Sequence, residues 1–226
     1  MNSPRRAVLA GALLVLAGGV SGCAGDAKAY PPTGVDGLTI PTPVVAPAAP
    51  AAPADHGDWA ATVDNPWFPL VPGTRWTYRA ETGGPTTTAV AGTGPVIEGV
   101  RTTSLTTHSA AGDSTDYYAQ DRAGNVWWFG HRGEWQVRPG VGAGLAMPAH
   151  PRRGDGFVMA SAGTVQVRGV LVDTDRTWES SIATTDRAVV LMQVEGALAD
   201  VKTFVPGVGM VRSGETGLVK VTSPAS

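Results

Sequence analysis

The segment 58–226 predicts an all-β domain, a single, mostly antiparallel curved sheet that forms an open barrel or a sandwich, preceded by a disordered Pro/Ala tether. Three observations predict it. Thr, Val, Trp and Tyr dominate the runs between turns, Gly and Pro punctuate the chain every 8–12 residues, and no stretch carries a convincing amphipathic helical period. At about 169 residues the segment is long enough for one domain with a real core.

The densest aromatic stretch is DYYAQDRAGNVWWFG, Asp116 to Gly130. Asp121-Arg122-Ala123-Gly124 is its turn: the Asp carboxylate bonds a backbone amide two residues on, and Gly takes the positive φ that closes the loop. The pattern predicts a three-residue hairpin loop with a glycine bulge, Asp121 opposite Asn125, Tyr118 opposite Trp128 and Tyr117 opposite Phe129. Alternation places Val126 and Trp128 on one face and Trp127 and Phe129 on the other. Both faces are apolar, so the hairpin is expected to be central and covered on both sides. Asp113, Asp116 and Asp121 are also candidate calcium ligands by residue type, but they lack the loop order that makes such a motif specific.

Ahead of the domain, Met1–Gly22 reads as a lipoprotein signal peptide. Arg5 and Arg6 form a positive n-region, and Ala7–Gly19 is an apolar run too short for the roughly 20 residues of a membrane span. Val20-Ser21-Gly22-Cys23 resembles a lipobox, and Cys23, the only cysteine in the chain, sits where a diacylglycerol would be attached. The arginine pair leaves both the general and the twin-arginine export routes open. Residues 23–57 form a lipid-anchored Pro/Ala-rich linker, expected to reach roughly 30 Å as a coil or roughly 100 Å as polyproline. His56 lies in it and is expected to be solvated. With one cysteine the chain makes no internal disulfide. Removing residues 1–22 leaves fifteen Lys and Arg against nineteen acids, a formal charge of −4. A mildly acidic chain without a basic run excludes nucleic acid as the expected partner, and membrane attachment is assigned to acyl chains on the outer face of the cytoplasmic membrane.

Within the domain, three prolines between Asn65 and Pro72 exclude a central strand, so Trp67 and Phe68 are expected to plug one end of the core. A short helical turn is allowed around 58–62. Arg75–Arg79 predicts a strand with Trp76 and Tyr78 inward and the arginines outward. Thr86–Val90 and Pro95–Val100 predict two short strands around Gly92 and Gly94, followed by Arg101–His108. Trp135–Val137 predicts an edge strand, and Arg138–Gly156 a long loop holding His150. Further strands are expected at Phe157–Ser161, Thr164–Asp173 with a bulge near Gly169, Arg187–Glu195, Asp200–Val205, Gly209–Ser213 and Gly217–Val221. Pro206-Gly207 carries the type II turn signature.

Four pieces, NPWFPLVPGTRWTY (65–78), YYAQDRAGNVWWFG (117–130), MPAHPRRGD (147–155) and FVPGVGMV (204–211), resemble in order and spacing a family of actinobacterial secreted lipoproteins of unknown function. The likeness covers essentially Asp64 to Ser213. It implies an extracytoplasmic, envelope-bound protein and assigns no activity, ligand or catalytic residue. The chain departs from the family over Arg176–Ala188, which is Thr- and Ser-rich instead of acidic. DRAGNVWWFG also resembles one β-propeller blade motif, but a propeller repeats its motif and this chain carries it once.

The function expected from these features is a non-catalytic binding module of the cell envelope for a small or apolar ligand, because a curved sheet offers a concave apolar face. Trp127, Trp128, Phe129, Trp135, Met147 and His150 are its candidate ligand-binding residues; the alternative for the aromatics is plain core filling. A structural or protein-interaction domain is the second reading, with an envelope protein as partner. No enzyme, metal or cofactor is expected: the domain offers only His108, His131 and His150, without a nucleophile-elbow or paired-histidine pattern.

Overall fold

A computed structural model describes residues 59–224. The expected signal peptide, Cys23 and the expected Pro/Ala linker lie outside the described residues. Thirteen strands make up the fold: β1 (Arg75–Ala80), β2 (Thr87–Ile97), β3 (Val100–Ser109), β4 (Gly112–Gln120), β5 (Val126–His131), β6 (Trp135–Gln136), β7 (Gly144–Met147), β8 (Gly156–Ala162), β9 (Val165–Glu179), β10 (Thr184–Glu195), β11 (Leu198–Val205), β12 (Gly209–Ser213) and β13 (Thr216–Thr222). Among the described residues there is no helix.

All thirteen belong to one antiparallel sheet, in the order β6-β5-β4-β3-β2-β1-β13-β12-β11-β10-β9-β8, with β7 joining β5 beside β6. The path is two meanders sewn together where β1 pairs with β13. Right-handed twist curls such a sheet until its ends meet, forming a nearly closed barrel. They meet at Gly144 of β7, whose backbone lies against the Met159 carbonyl of β8 with no room for a β-carbon.

The Asp121–Gly124 hairpin forms as expected. Gly124 N–H donates to Asp121 O at 3.0 Å with Gly124 at φ 91°. The Asp121 carboxylate accepts from the Asn125 backbone and side chain, both at 2.9 Å, and from Trp127 Nε1 at 2.8 Å. Tyr118 faces Trp128, but Tyr117 faces Gly130 and not Phe129, because the register shifts between Tyr117 and Tyr118. Gly130 sits at φ 151° and a β-carbon there would lie 2.6 Å from Trp135 O, so only glycine lets β6 pack across the bulge. The hairpin is covered on both faces but lies toward one end of the strand order, not at its middle.

Other expectations are corrected by packing. The 138–156 segment is not all loop: Gly144-Leu145-Ala146-Met147 is a fully buried strand, admitted because glycine and alanine let it press between β5 and β8. Thr87–Ile97 is one continuous strand across Gly92 and Gly94, with an irregularity between Thr93 and Val96. The face of β9 does not change near Gly169: Val167, Gly169 and Leu171 all face inward, and Gly169 makes room for Phe157, Met159 and Leu191. The register shift in the β8–β9 ladder falls on β8, between Val158 and Ala160. The helical turn allowed around 58–62 does not form over the described residues: Trp59 is bridged to Asp121 and the chain bends at Ala61 and Thr62. The Pro206-Gly207 turn closes through Val208 N–H to Val205 O at 3.1 Å, with Gly207 at φ 77°. As expected, Trp76 and Tyr78 are buried while Arg75 and Arg79 are exposed.

Candidate functional site: a cavity inside the barrel

One end of the barrel is stoppered by the proline-rich segment 65–70. Asn65 is its anchor, buried to 2 % exposure. Its side-chain Nδ2 donates to Gly124 O at 2.9 Å and Pro148 O at 3.2 Å, while its Oδ1 accepts from Trp67 N at 3.0 Å and Phe68 N at 3.2 Å. The Asn65 backbone N–H donates to Gln120 Oε1 at 2.8 Å. Gly207 N–H closes on Pro66 O at 2.7 Å, and Trp76 Nε1 donates to Val208 O at 2.7 Å. Four stretches far apart in sequence are thereby tied together at this end. From it Phe68 reaches inward, 5.1 Å from the ring of Tyr118 and 5.9 Å from that of Phe204.

Beneath this plug the barrel holds a half-open cavity of about 430 Å³. Its lining follows one rule strand by strand. Moving away from the plug, the apolar side chain comes first and a polar one follows: Ala89 then Thr87 on β2, Leu105 then Thr107 on β3, Tyr118 then Asp116 on β4, and Trp128 then His131 on β5. On the other wall Leu191 precedes Gln193 on β10, Phe204 precedes Lys202 on β11, and Met210 precedes Ser213 on β12. Thr216 on β13 continues the polar rim. The inward positions recur every second or third residue, as strand alternation and local bulges require. The result is an amphipathic chamber with an aromatic floor at the plug and a polar rim at the far end.

Two charged stations sit on opposite walls. On β4 and β5, His131 Nδ1 lies 2.8 Å from Asp116 Oδ1, and Trp128 Nε1 donates to the same oxygen at 3.0 Å. Burial pushes the Asp116 carboxyl above the usual carboxylate range, against the pull of His131, Trp128 and Lys202. On β10 and β11, Lys202 Nζ donates to Gln193 Oε1 at 2.8 Å and stands 3.9 Å from Asp200 Oδ2. Burial pulls the Lys202 ammonium below the ordinary lysine range, opposed by Asp200, Asp116 and Glu195. Burial, with the Asp116 charge adding to it, holds the Tyr118 hydroxyl protonated well above its ordinary range. Ser213 Oγ donates to Asp200 Oδ2 at 2.5 Å and not to His131, so the serine and histidine of the lining are not arranged as nucleophile and base.

The residues singled out from sequence are distributed unevenly around this chamber. Trp128 lines it. Trp127, Phe129 and Met147 are buried in the core, Phe129 packing edge-on against Trp59 at 5.0 Å. Trp135 is buried and packs edge-on against Trp128 at 5.1 Å, behind the cavity wall. His150 borders a second cavity of about 400 Å³ with Asn125, Arg152, Asp155 and Phe157. The three aspartates do not converge: Asp113 is 2.8 Å from His108, Asp116 serves His131, and Asp121 holds the hairpin loop. Sequence reasoning missed Lys202, Gln193, Asp116 as a partner of His131, and the threonine rim. The Asp116–His131 pairing was accessible only through the hairpin bulge that places them opposite each other.

No family model, curated protein or solved structure matches the chain.

Proposed function

We propose that this chain is a lipid-anchored protein of the cell envelope whose barrel is a non-catalytic binding module for a small, largely apolar ligand. The observation that carries the reading is the chamber of about 430 Å³ with its aromatic floor and polar rim. Ligand sites of roughly 300–1,000 Å³, apolar with a few placed polar groups, are the usual form of small-molecule pockets. A well-packed core leaves few voids larger than a water, so plain core filling does not account for the chamber. Cys23 and the Pro/Ala stretch support attachment of this module to the outer leaflet by an acyl anchor and a tether.

The test is native mass spectrometry of residues 23–226 carrying Cys23→Ser, so that neither the apolar run Ala7–Gly19, an acyl anchor nor detergent competes for the chamber. The expected result is an adduct of defined mass that dissociates on activation, or uptake of an added single-chain amphiphile at one-to-one stoichiometry. An empty, monodisperse chain that takes up no amphiphile would overturn the binding reading and favour a protein-interaction role.

A further inference from the structure

The polar contacts of the chamber define the head group of its ligand, an inference that rests on the binding reading above. Three side chains of the lining can carry charge: Asp116, His131 and Lys202. Asp116 and His131 satisfy each other, and the second bond to Asp116 Oδ1, from Trp128 Nε1, further commits that carboxylate. Lys202 is different. An ammonium has three donors; one is spent on the neutral Gln193 carbonyl, and the nearest carboxylate, on Asp200, is at the long distance of 3.9 Å. Asp200 is moreover engaged by the Ser213 hydroxyl. A cation whose side chain is only 24 % exposed therefore faces the cavity with donor capacity unspent. The Tyr118 hydroxyl, held as a neutral donor, lines the same space. Asp200, Asp116 and Glu195 only partly offset the burial of this cation, and an anionic oxygen supplied by a ligand at hydrogen-bond distance would offset more of that cost.

We propose that the chamber takes a single-chain amphiphile with an anionic head, a carboxylate or a phosphate, held by Lys202, its chain running along the aromatic wall toward Phe68 and Phe204. The volume, at the small end of ligand sites, fits one chain and not two. The rim hydroxyls of Thr87, Thr107 and Thr216 surround the head group without adding an opposing charge.

The experiment is calorimetric titration of the same Cys23→Ser chain, residues 23–226, with dodecanoate, dodecyl phosphate, dodecanol and dodecylammonium, each below its micelle concentration. The two anions are expected to bind about tenfold more tightly than dodecanol, the size of one charge-assisted hydrogen bond. The tighter of the two anions identifies the head as carboxylate or phosphate. In Lys202→Met the preference for anions over dodecanol is expected to vanish. Equal binding of dodecanol and both anions by the unsubstituted chain, or tighter binding of dodecylammonium, would overturn the anionic assignment and leave the binding reading standing. Binding of none of the four would overturn the binding reading itself. The head-group comparison on the unsubstituted chain decides between these outcomes whether or not the variant folds.

Discussion

At the plugged end of the barrel a single asparagine holds two loops and its own segment in place, and both ends of its amide are fully engaged. Asn65 bonds Gly124 O and Pro148 O on one side and the Trp67 and Phe68 amides on the other. At the rim, polar side chains arrive one per strand from eight strands, and Lys202 keeps donor capacity in reserve. The contrast separates two uses of buried polarity. Fully satisfied, it fixes a unique closure; left partly unsatisfied, it lowers stability and creates a demand that a ligand can meet.

Substitutions at the two ends should therefore have opposite signs. The largest effect is expected from Asn65→Ala, which removes four hydrogen bonds and leaves two carbonyls without their donor. A loss of about 3 kcal/mol should appear as a lower denaturation midpoint in urea. Gly144→Ala comes next. Its β-carbon has no room against the Met159 carbonyl, so β7 must move off β8 where the sheet ends meet, at an expected cost of about 2 kcal/mol. Its signature should be raised amide exchange confined to β7 and β8. At the rim, Lys202→Met is expected to stabilise the empty protein by about 1 kcal/mol, because it replaces a desolvated cation by an apolar side chain of similar length.

The smallest effect is in the pH dependence, where the sign follows from proton counting. The native Lys202 pKa lies below its unfolded value, so between the two the unfolded chain binds more protons and stability rises with pH. Asp116 has the reverse sign in the acid range. Its native pKa is raised, so its contribution is present below the unfolded value and is lost as pH rises through the native one. Urea midpoints measured against pH should lose the alkaline rise in Lys202→Met and the acid-range fall in Asp116→Asn.

The same two ends differ in how far they could be read from the chain. The plug announces itself locally: Pro66, Pro69 and Pro72 exclude a strand, Asp121 to Gly124 spells a turn, and Pro206-Gly207 spells another. Those signals act within a few residues, so they survive in a linear reading, and the strands β12 and β13 fall within a residue of where alternation places them. The rim has no such signature. Lys202 in an alternating strand looks like an ordinary outward lysine until the sheet curls and shows that Phe204 and Lys202 share its concave face. The aromatic cluster drew attention to Trp127, Trp128, Phe129 and Trp135, whereas only Trp128 of these borders the chamber: period-two alternation sends Trp127 and Phe129 to the other face, and Trp135 packs edge-on behind Trp128. The strand β7 escaped because two of its four residues are Gly and Ala, poor strand formers suited to close approach and not to propensity.

The most direct test of the central claim, that a ligand chain lies in the barrel against Trp128 and Trp76, is quenching of tryptophan fluorescence by a dodecanoate brominated near its methyl end. Both indoles line the cavity, whereas Trp59 and Trp178 do not border it. Saturable quenching at one-to-one stoichiometry is expected, reduced in Trp128→Phe and reduced further when Trp76→Phe is added. Saturable quenching of equal depth in the double variant would place the chain elsewhere on the protein and contradict the claim.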